Sequence, residues 1–150
     1  MADASFKLRH RMMTRFSETD MQGVIFNARY LDYADLAMSV YWARAGVQLF
    51  GDDQLEFLVA NANIDFKASL RPFEFVDLCC RTERVGNSSL TTLIEIHGEK
   101  GEPDLRAAIR IVHVCIDNQT RRSVSLPPHV KDCIAVFDGR AEPLLTGERT

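Results

Sequence analysis

No stretch of this sequence approaches the ~18 or more consecutive apolar residues of a membrane span, and its opening MADASFKLRHRMM has no continuous apolar core of the secretory kind. An intracellular, cytoplasmic protein with no membrane span is the expectation. Basic charge is also lacking: 18 Lys+Arg stand against 21 Asp+Glu, for a formal charge of -3, so there is no broad basic field to meet a phosphate backbone. Nucleic acid is therefore not an expected partner. The four cysteines, Cys79, Cys80, Cys115 and Cys133, make no C-x-x-C pair and no cysteine–histidine metal spacing. Reduced, mostly buried thiols and no metal site follow. No repeat and no linker divides the chain. What is present, 46% hydrophobic and 26% charged content over 150 residues, suffices for one soluble domain with a core.

From Phe6 to Phe16 the residues alternate, with Phe6, Leu8, His10, Met12, Thr14 and Phe16 on one side and Lys7, Arg9, Arg11, Met13 and Arg15 on the other, which predicts a strand with one solvated face. After Gly23 the period changes. Asn27 is placed as an N-cap, Phe26 and Leu31 take the staple positions, and no Gly or Pro interrupts the chain before Gly46; a helix of about five turns is expected there. Its apolar surface is wide, leaving Asp32, Asp35 and Ser39 as a narrow polar edge. Gly46 suits the left-handed position that follows a helix.

Four strand patterns follow, at about Glu56 to Ala68, Phe75 to Val85, Ser88 to His97 and Leu105 to Asp117. They are separated by LRPFE, a tight GN hairpin and GEKGEPD. Strand, helix and four strands in meander order predict an α+β domain over residues 1–137. The Pro127–Pro128 pair starts a short helix within it, and a polar tail occupies 138–150.

That order, with D-x-x-G-V-x-x-N-x-x-Y-L-x-Y at Asp20 to Tyr33, NIDFKASLRPFEFVD and RVGNSSLT, resembles the 4-hydroxybenzoyl-CoA thioesterase group of the hot dog superfamily over roughly Leu8 to Pro128. The resemblance implies an antiparallel sheet wrapped around one long central helix. It further implies a homodimer or homotetramer with acyl-CoA sites at subunit interfaces, and no cofactor beyond the coenzyme A of the substrate. Asp20 falls on the family's catalytic carboxylate, as nucleophile or as general base toward water. The backbone N–H seven residues later, that of Asn27, falls on the donor to the carbonyl oxygen. A thioester needs both functions, and the first turn of a helix offers unpaired N–H groups and a favourable dipole for the second.

The same resemblance assigns substrate contacts to Gly23, Tyr30, Asn87 and Ser88, the last two in the hairpin where some relatives carry cations for the CoA phosphates. Here that hairpin is uncharged, so Arg81, Arg84 or a partner chain's base is left to meet them. Two other carboxylates remain in play: Glu18, two residues early, and Asp35, because another thioesterase subgroup carries its acid on the helix. Asn61, Asn63 and Asp65 share a strand face that meets either the pocket or solvent. Two other functions stay open on this fold, an acyl-CoA hydratase or dehydratase and a non-catalytic acyl-CoA binding module. Against the hydratase, the position five residues after Asp20 is Ile25, where those relatives have histidine.

Overall fold

The computed structural model describes residues 6–47 and 55–139. Strand β1 (Leu8–Met13) carries the first alternating pattern. It ends where Thr14 turns inward, and a single 3-10 turn, Phe16–Glu18, leads toward the helix. Helix α1 (Arg29–Ala45) ends at Gly46, whose φ of 79° places it in the left-handed region expected of it. Strands β2 (Leu55–Phe66), β3 (Phe75–Val85), β4 (Ser89–His97) and β5 (Leu105–Asp117) follow, then α2 (Pro128–Phe137) behind Pro127. No helix among the described residues is long and apolar enough to cross a membrane.

All strand pairs are antiparallel, but the order in the five-stranded sheet is β1-β3-β4-β5-β2. The expected four-strand meander is thus corrected: only β3, β4 and β5 are consecutive neighbours. Tight turns force adjacent pairing across β3–β4, whereas residues 67–74 are long enough to carry the chain across the sheet, and β1 takes the free side of β3. Buried Thr14 holds the end of that crossing. Its hydroxyl donates to the Arg71 carbonyl at 2.6 Å and accepts from the Glu74 N–H at 2.9 Å, and its carbonyl accepts the N–H of Phe73, which sits at a φ of 66°.

The inner face of the sheet, including Leu8, Val76, Leu78, Ile94 and Ile109, packs on Tyr30, Tyr33, Ala34, Ala37 and Tyr41 of α1 in one core. Each large side chain so buried contributes about 1.5–3 kcal/mol of transfer free energy. Cys79, Cys80 and Cys115 are buried thiols outside any disulfide among the described residues, and Cys133 is half-buried; burial pushes the Cys79 thiol up to about 12 and Cys80 well above the ordinary value. Helix α2 closes one end of the core, with Phe137 edge-on to Tyr41 at 5.5 Å. Asp138, expected in the tail, is buried, and its Oδ2 accepts the Tyr41 hydroxyl proton at 2.8 Å. Residues 140–150 lie outside the described residues.

A bulge in β2 decides which way its polar residues face. Ala60 is skipped between the Val59–His113 and Asn61–Val112 pairs. Val59, Ala62, Ile64 and Phe66 therefore pair with the helix-facing residues of β5, and Asn61, Asn63 and Asp65 share the outer face with Arg110. The polar row meets solvent. Strand β2 is also a twelve-residue sheet edge with apolar side chains left open, Val59 at 59% and Phe66 at 50% exposure.

Candidate active site

The chain between β1 and α1 is tied into a small loop. Thr19 bridges Ile25, the Asp20 N–H bonds the Val24 carbonyl at 2.9 Å, and the Gly23 N–H bonds the Asp20 carbonyl at 3.1 Å. Gly23 has a φ of 76°, a conformation any other residue would strain to adopt. One carboxylate oxygen of Asp20, Oδ1, accepts the Gln22 N–H at 2.8 Å. That bond fixes the side chain without neutralising it.

Helix α1 starts later than expected, which corrects the role given to the Asn27 side chain. Ala28 precedes the first helical residue, and no side chain caps the helix. Asn27 and Ala28 form a turn instead, with the Tyr30 N–H on the Asn27 carbonyl at 3.2 Å. Phe26 and Leu31, the expected staple pair, stay 49% and 41% exposed. The backbone N–H of Asn27 has no hydrogen-bond partner among the described residues.

Asp20, Gln22, Val24, Ile25, Asn27 and Tyr30 form one side of a cavity of about 310 Å³, and Phe66, Lys67, Ala68 and Ser69 form the other. The second wall hangs on one residue. The Arg106 carbonyl accepts the N–H groups of Lys67 and Ala68 at 2.9 and 3.2 Å. Its guanidinium donates to the Ser69 carbonyl at 2.9 Å and to the carboxylates of Glu74 and Asp104. The next residue links wall to loop: the Leu70 carbonyl accepts the Ile25 N–H at 2.8 Å, and the Tyr30 hydroxyl interacts with the Leu70 backbone. Burial is the main cause that raises the Tyr30 pKa, so the phenol stays protonated.

The rival carboxylates lie elsewhere. Glu18 is buried and lines a second cavity of about 400 Å³ with Met12, Met13, Arg15, Asp32, Tyr33 and Leu36. Burial alone would raise its pKa, yet the Arg15 N–H at 2.8 Å, the Tyr33 hydroxyl at 2.8 Å and the Arg15 guanidinium hold it below the ordinary carboxylate range. Every acceptor site of Glu18 is thus turned to structure. Asp35 is exposed on α1 and lines neither cavity. Its negative charge is felt at His113, whose pKa is nonetheless lowered by burial.

Of the remaining assigned contacts, Gly23 shapes the Asp20 loop without lining the cavity. Asn87 and Ser88 sit at the β3–β4 turn, their carbonyls accepting the N–H groups of Leu126 and Cys115 at 2.9 and 2.7 Å. Phe66 at the cavity pairs with Ala107 of β5, so Ser88 beside Cys115 lies on the order of 25 Å further along the strand. Within one chain the two groups do not meet. Reading the sequence missed Lys67 and Arg106. The signals were a lysine directly after the last residue of β2, and an arginine two residues after Asp104 at the start of a largely apolar strand.

The sequence profile of the thioesterase-like superfamily matches residues 14–134. YsmA of Bacillus subtilis, an uncharacterised protein, is 27% identical over 130 residues, covering 87% of this chain and 86% of that one. Among solved structures, the PA5185 protein of Pseudomonas aeruginosa aligns with a TM-score of 0.77 at 25% identity, over 89% of this chain and 92% of its own. Slr0204 of Synechocystis, a 1,4-dihydroxy-2-naphthoyl-CoA thioesterase, aligns at 0.79 and 19% identity, over 87% and 96%. The second likeness bears on fold alone, and the fold is the one that hot dog thioesterases share. With four-fifths of its length matched by the family profile, the chain belongs to the thioesterase-like superfamily.

Proposed function

We propose that the protein is an acyl-CoA thioester hydrolase of the 4-hydroxybenzoyl-CoA thioesterase-like group. One observation carries the reading: Asp20 and Asn27, whose backbone N–H is unpaired, line the same cavity. A thioester carbonyl oxygen directed at that N–H gains a donor as it becomes negative. The Asp20 carboxylate then attacks the carbonyl carbon to give a mixed anhydride that water hydrolyses, or it takes a proton from an attacking water. Hydrolysis is favoured over hydration because none of His10, His97, His113 or His129 lines the cavity and Ile25 is buried.

A homodimer belongs to the same reading. Pairing two β2 edges about a two-fold axis runs them antiparallel and covers the open apolar side chains of each. The Phe66 end of one strand then lies beside the Leu55 end of its mate, the end that pairs with Cys115 and Asp117. The partner subunit's β3–β4 turn is thereby brought toward the cavity, where Asn87 and Ser88 have a use. Light scattering is expected to return at least twice the 17.0 kDa of one chain; active protein at the single-chain mass would contradict the proposal.

Thiol release from a panel of short, long and aromatic acyl-CoAs and an acyl carrier protein thioester tests the activity. At least one substrate is expected to reach a kcat/KM of about 10⁴ M⁻¹ s⁻¹ or more. Hydration of an enoyl-CoA without thiol release, or tight binding without turnover, would replace this function with one of its two alternatives.

A further inference from the structure

Among the described residues, Lys67 is the one cation lining the cavity that holds Asp20 and Asn27. It makes no ion pair among the described residues, with Asp20 or with any other carboxylate. Its backbone is fixed, because its N–H and that of Ala68 are both held by the carbonyl of Arg106, itself buried and bonded to two carboxylates and the Ser69 carbonyl. An exposed lysine whose backbone is fixed in one wall of the cavity that Asp20 lines on the other side is a group that the attack on the carbonyl leaves unused.

The chemistry at sulfur supplies its use. When a carboxylate adds to a thioester, the tetrahedral intermediate can expel either the carboxylate or the thiolate. A carboxylate is by far the weaker base, with reference pKa values of about 4 against about 8.5 for a thiol. Left to itself the intermediate returns to substrate. Forward collapse needs stabilisation of charge on sulfur, which a cation at the cavity wall supplies.

We propose that the Lys67 ammonium is the cation that stabilises the departing thiolate. The C–S bond breaks and its electron pair passes to sulfur. Lys67 stays an ammonium and pairs with the nascent thiolate, the weaker base of the two, which takes its proton from solvent as it leaves. The acyl group stays on Asp20 until a second water releases it as the free acid. This assignment rests on the thioesterase reading, and the ligand chemistry it names is an alkyl thiol leaving group, common to coenzyme A and to a phosphopantetheinyl carrier protein.

The test compares two thioesters of one acyl group, the best in the panel: the CoA ester and the ester of an aromatic thiol, whose thiolate leaves unaided. Single-turnover rates are measured for wild type, Lys67→Met and Lys67→Arg, with circular dichroism to show that each is folded. Lys67→Met is expected to slow the CoA ester by about 100-fold, as loss of one group that stabilises developing charge does, and the aryl ester by less than about threefold, with Lys67→Arg retaining much of the rate. Running the acyl carrier protein ester alongside separates the sources of the alkyl thiol, and both alkyl esters should respond alike. Equal losses on alkyl and aryl esters would overturn the assignment in favour of a structural role. A raised KM confined to CoA, with the single-turnover rate intact, would overturn it in favour of a phosphate contact. Wild type that cleaves no thioester would remove the thioesterase reading itself, whereas wild-type turnover with no Lys67 dependence would remove this inference alone.

Discussion

Asp20→Asn is expected to lower turnover of the best acyl-CoA by at least about 100-fold, comparable to loss of a general base, while leaving the melting temperature nearly unchanged. The structural side of this expectation comes from the Asp20 loop. Asp20 Oδ1 accepts one hydrogen bond, from the Gln22 N–H, and an asparagine oxygen keeps it. The backbone bonds from Asp20 to Val24 and Gly23 do not involve the side chain. What the substitution removes is the charge, and with it both the nucleophile and the base. Two controls separate Asp20 from its neighbours. Asp35→Asn, away from the cavity, should retain activity. Glu18→Gln should act on stability, because the carboxylate it alters holds Arg15 and Tyr33 in place. Asp20→Asn protein with near wild-type turnover would sink the assignment, and loss of activity in Asp35→Asn instead would move the acid onto the helix. Asn27→Ala adds a third comparison: with no cap formed by the side chain, the substitution should cost little stability and keep the backbone donor.

Much of this arrangement was legible in the sequence because the deciding signals are local. Alternation gives β1 its two faces, the run from Arg29 to Ala45 contains no helix breaker, and Gly46 marks the end of the helix by a conformation that other residues avoid. The turn after Val85 is equally local. Strand order is not local. Whether residues 67–74 return the next strand beside β2 or carry it across the sheet to β1 is settled by contacts with distant residues, among them those of Arg71, Phe73 and Glu74 with Thr14. The face of Asn61, Asn63 and Asp65 turned on a single bulged residue, Ala60, which is invisible to a count of alternating positions. The start of α1 was misplaced because Asn27 has the chemistry of a cap, but Asn27 and Ala28 make a turn before the helix begins. Lys67 and Arg106 were missed for a related reason. Each acquires its role from a contact with residues more than thirty positions away, so its sequence neighbourhood reads as an exposed strand end or a strand interior.

Arg106→Met carries the largest expected effect on stability, a loss of about 3–5 kcal/mol at neutral pH, typical of removing one partner from a buried ion pair. The guanidinium is 3% exposed and Glu74 and Asp104 are 16% and 13% exposed, so neither carboxylate can recover full hydration when its partner goes. Lys100, 3.4 Å from Glu74, compensates only in part. The pH dependence follows from how the carboxylates are held. The Asp104 pKa is lowered mainly by its hydrogen bond from Arg106; that of Glu74 would be raised by burial, but bonds from Arg106 and the Arg71 N–H lower it overall. A carboxylate whose folded pKa lies below its unfolded one stabilises the fold above the unfolded value of about 4, and loses that contribution as pH falls through the folded value. In Arg106→Met the main depressing partner is gone, and the two acids become easier to protonate in the folded protein. The stability gap between wild type and variant should therefore be widest near pH 7 and should narrow as both are acidified below about pH 4. Urea unfolding at the two pH values measures it directly. A gap under about 1 kcal/mol at pH 7, the range of an exposed pair, or one that does not change with pH, would mean that the arginine is held by its carbonyl contact and its packing rather than by the two carboxylates. Because the same residue carries the wall formed by Lys67, Ala68 and Ser69, a folded Arg106→Met protein should also lose turnover at temperatures well below its melting point, and Glu74→Gln, which spares the bond to Ser69, should lose less.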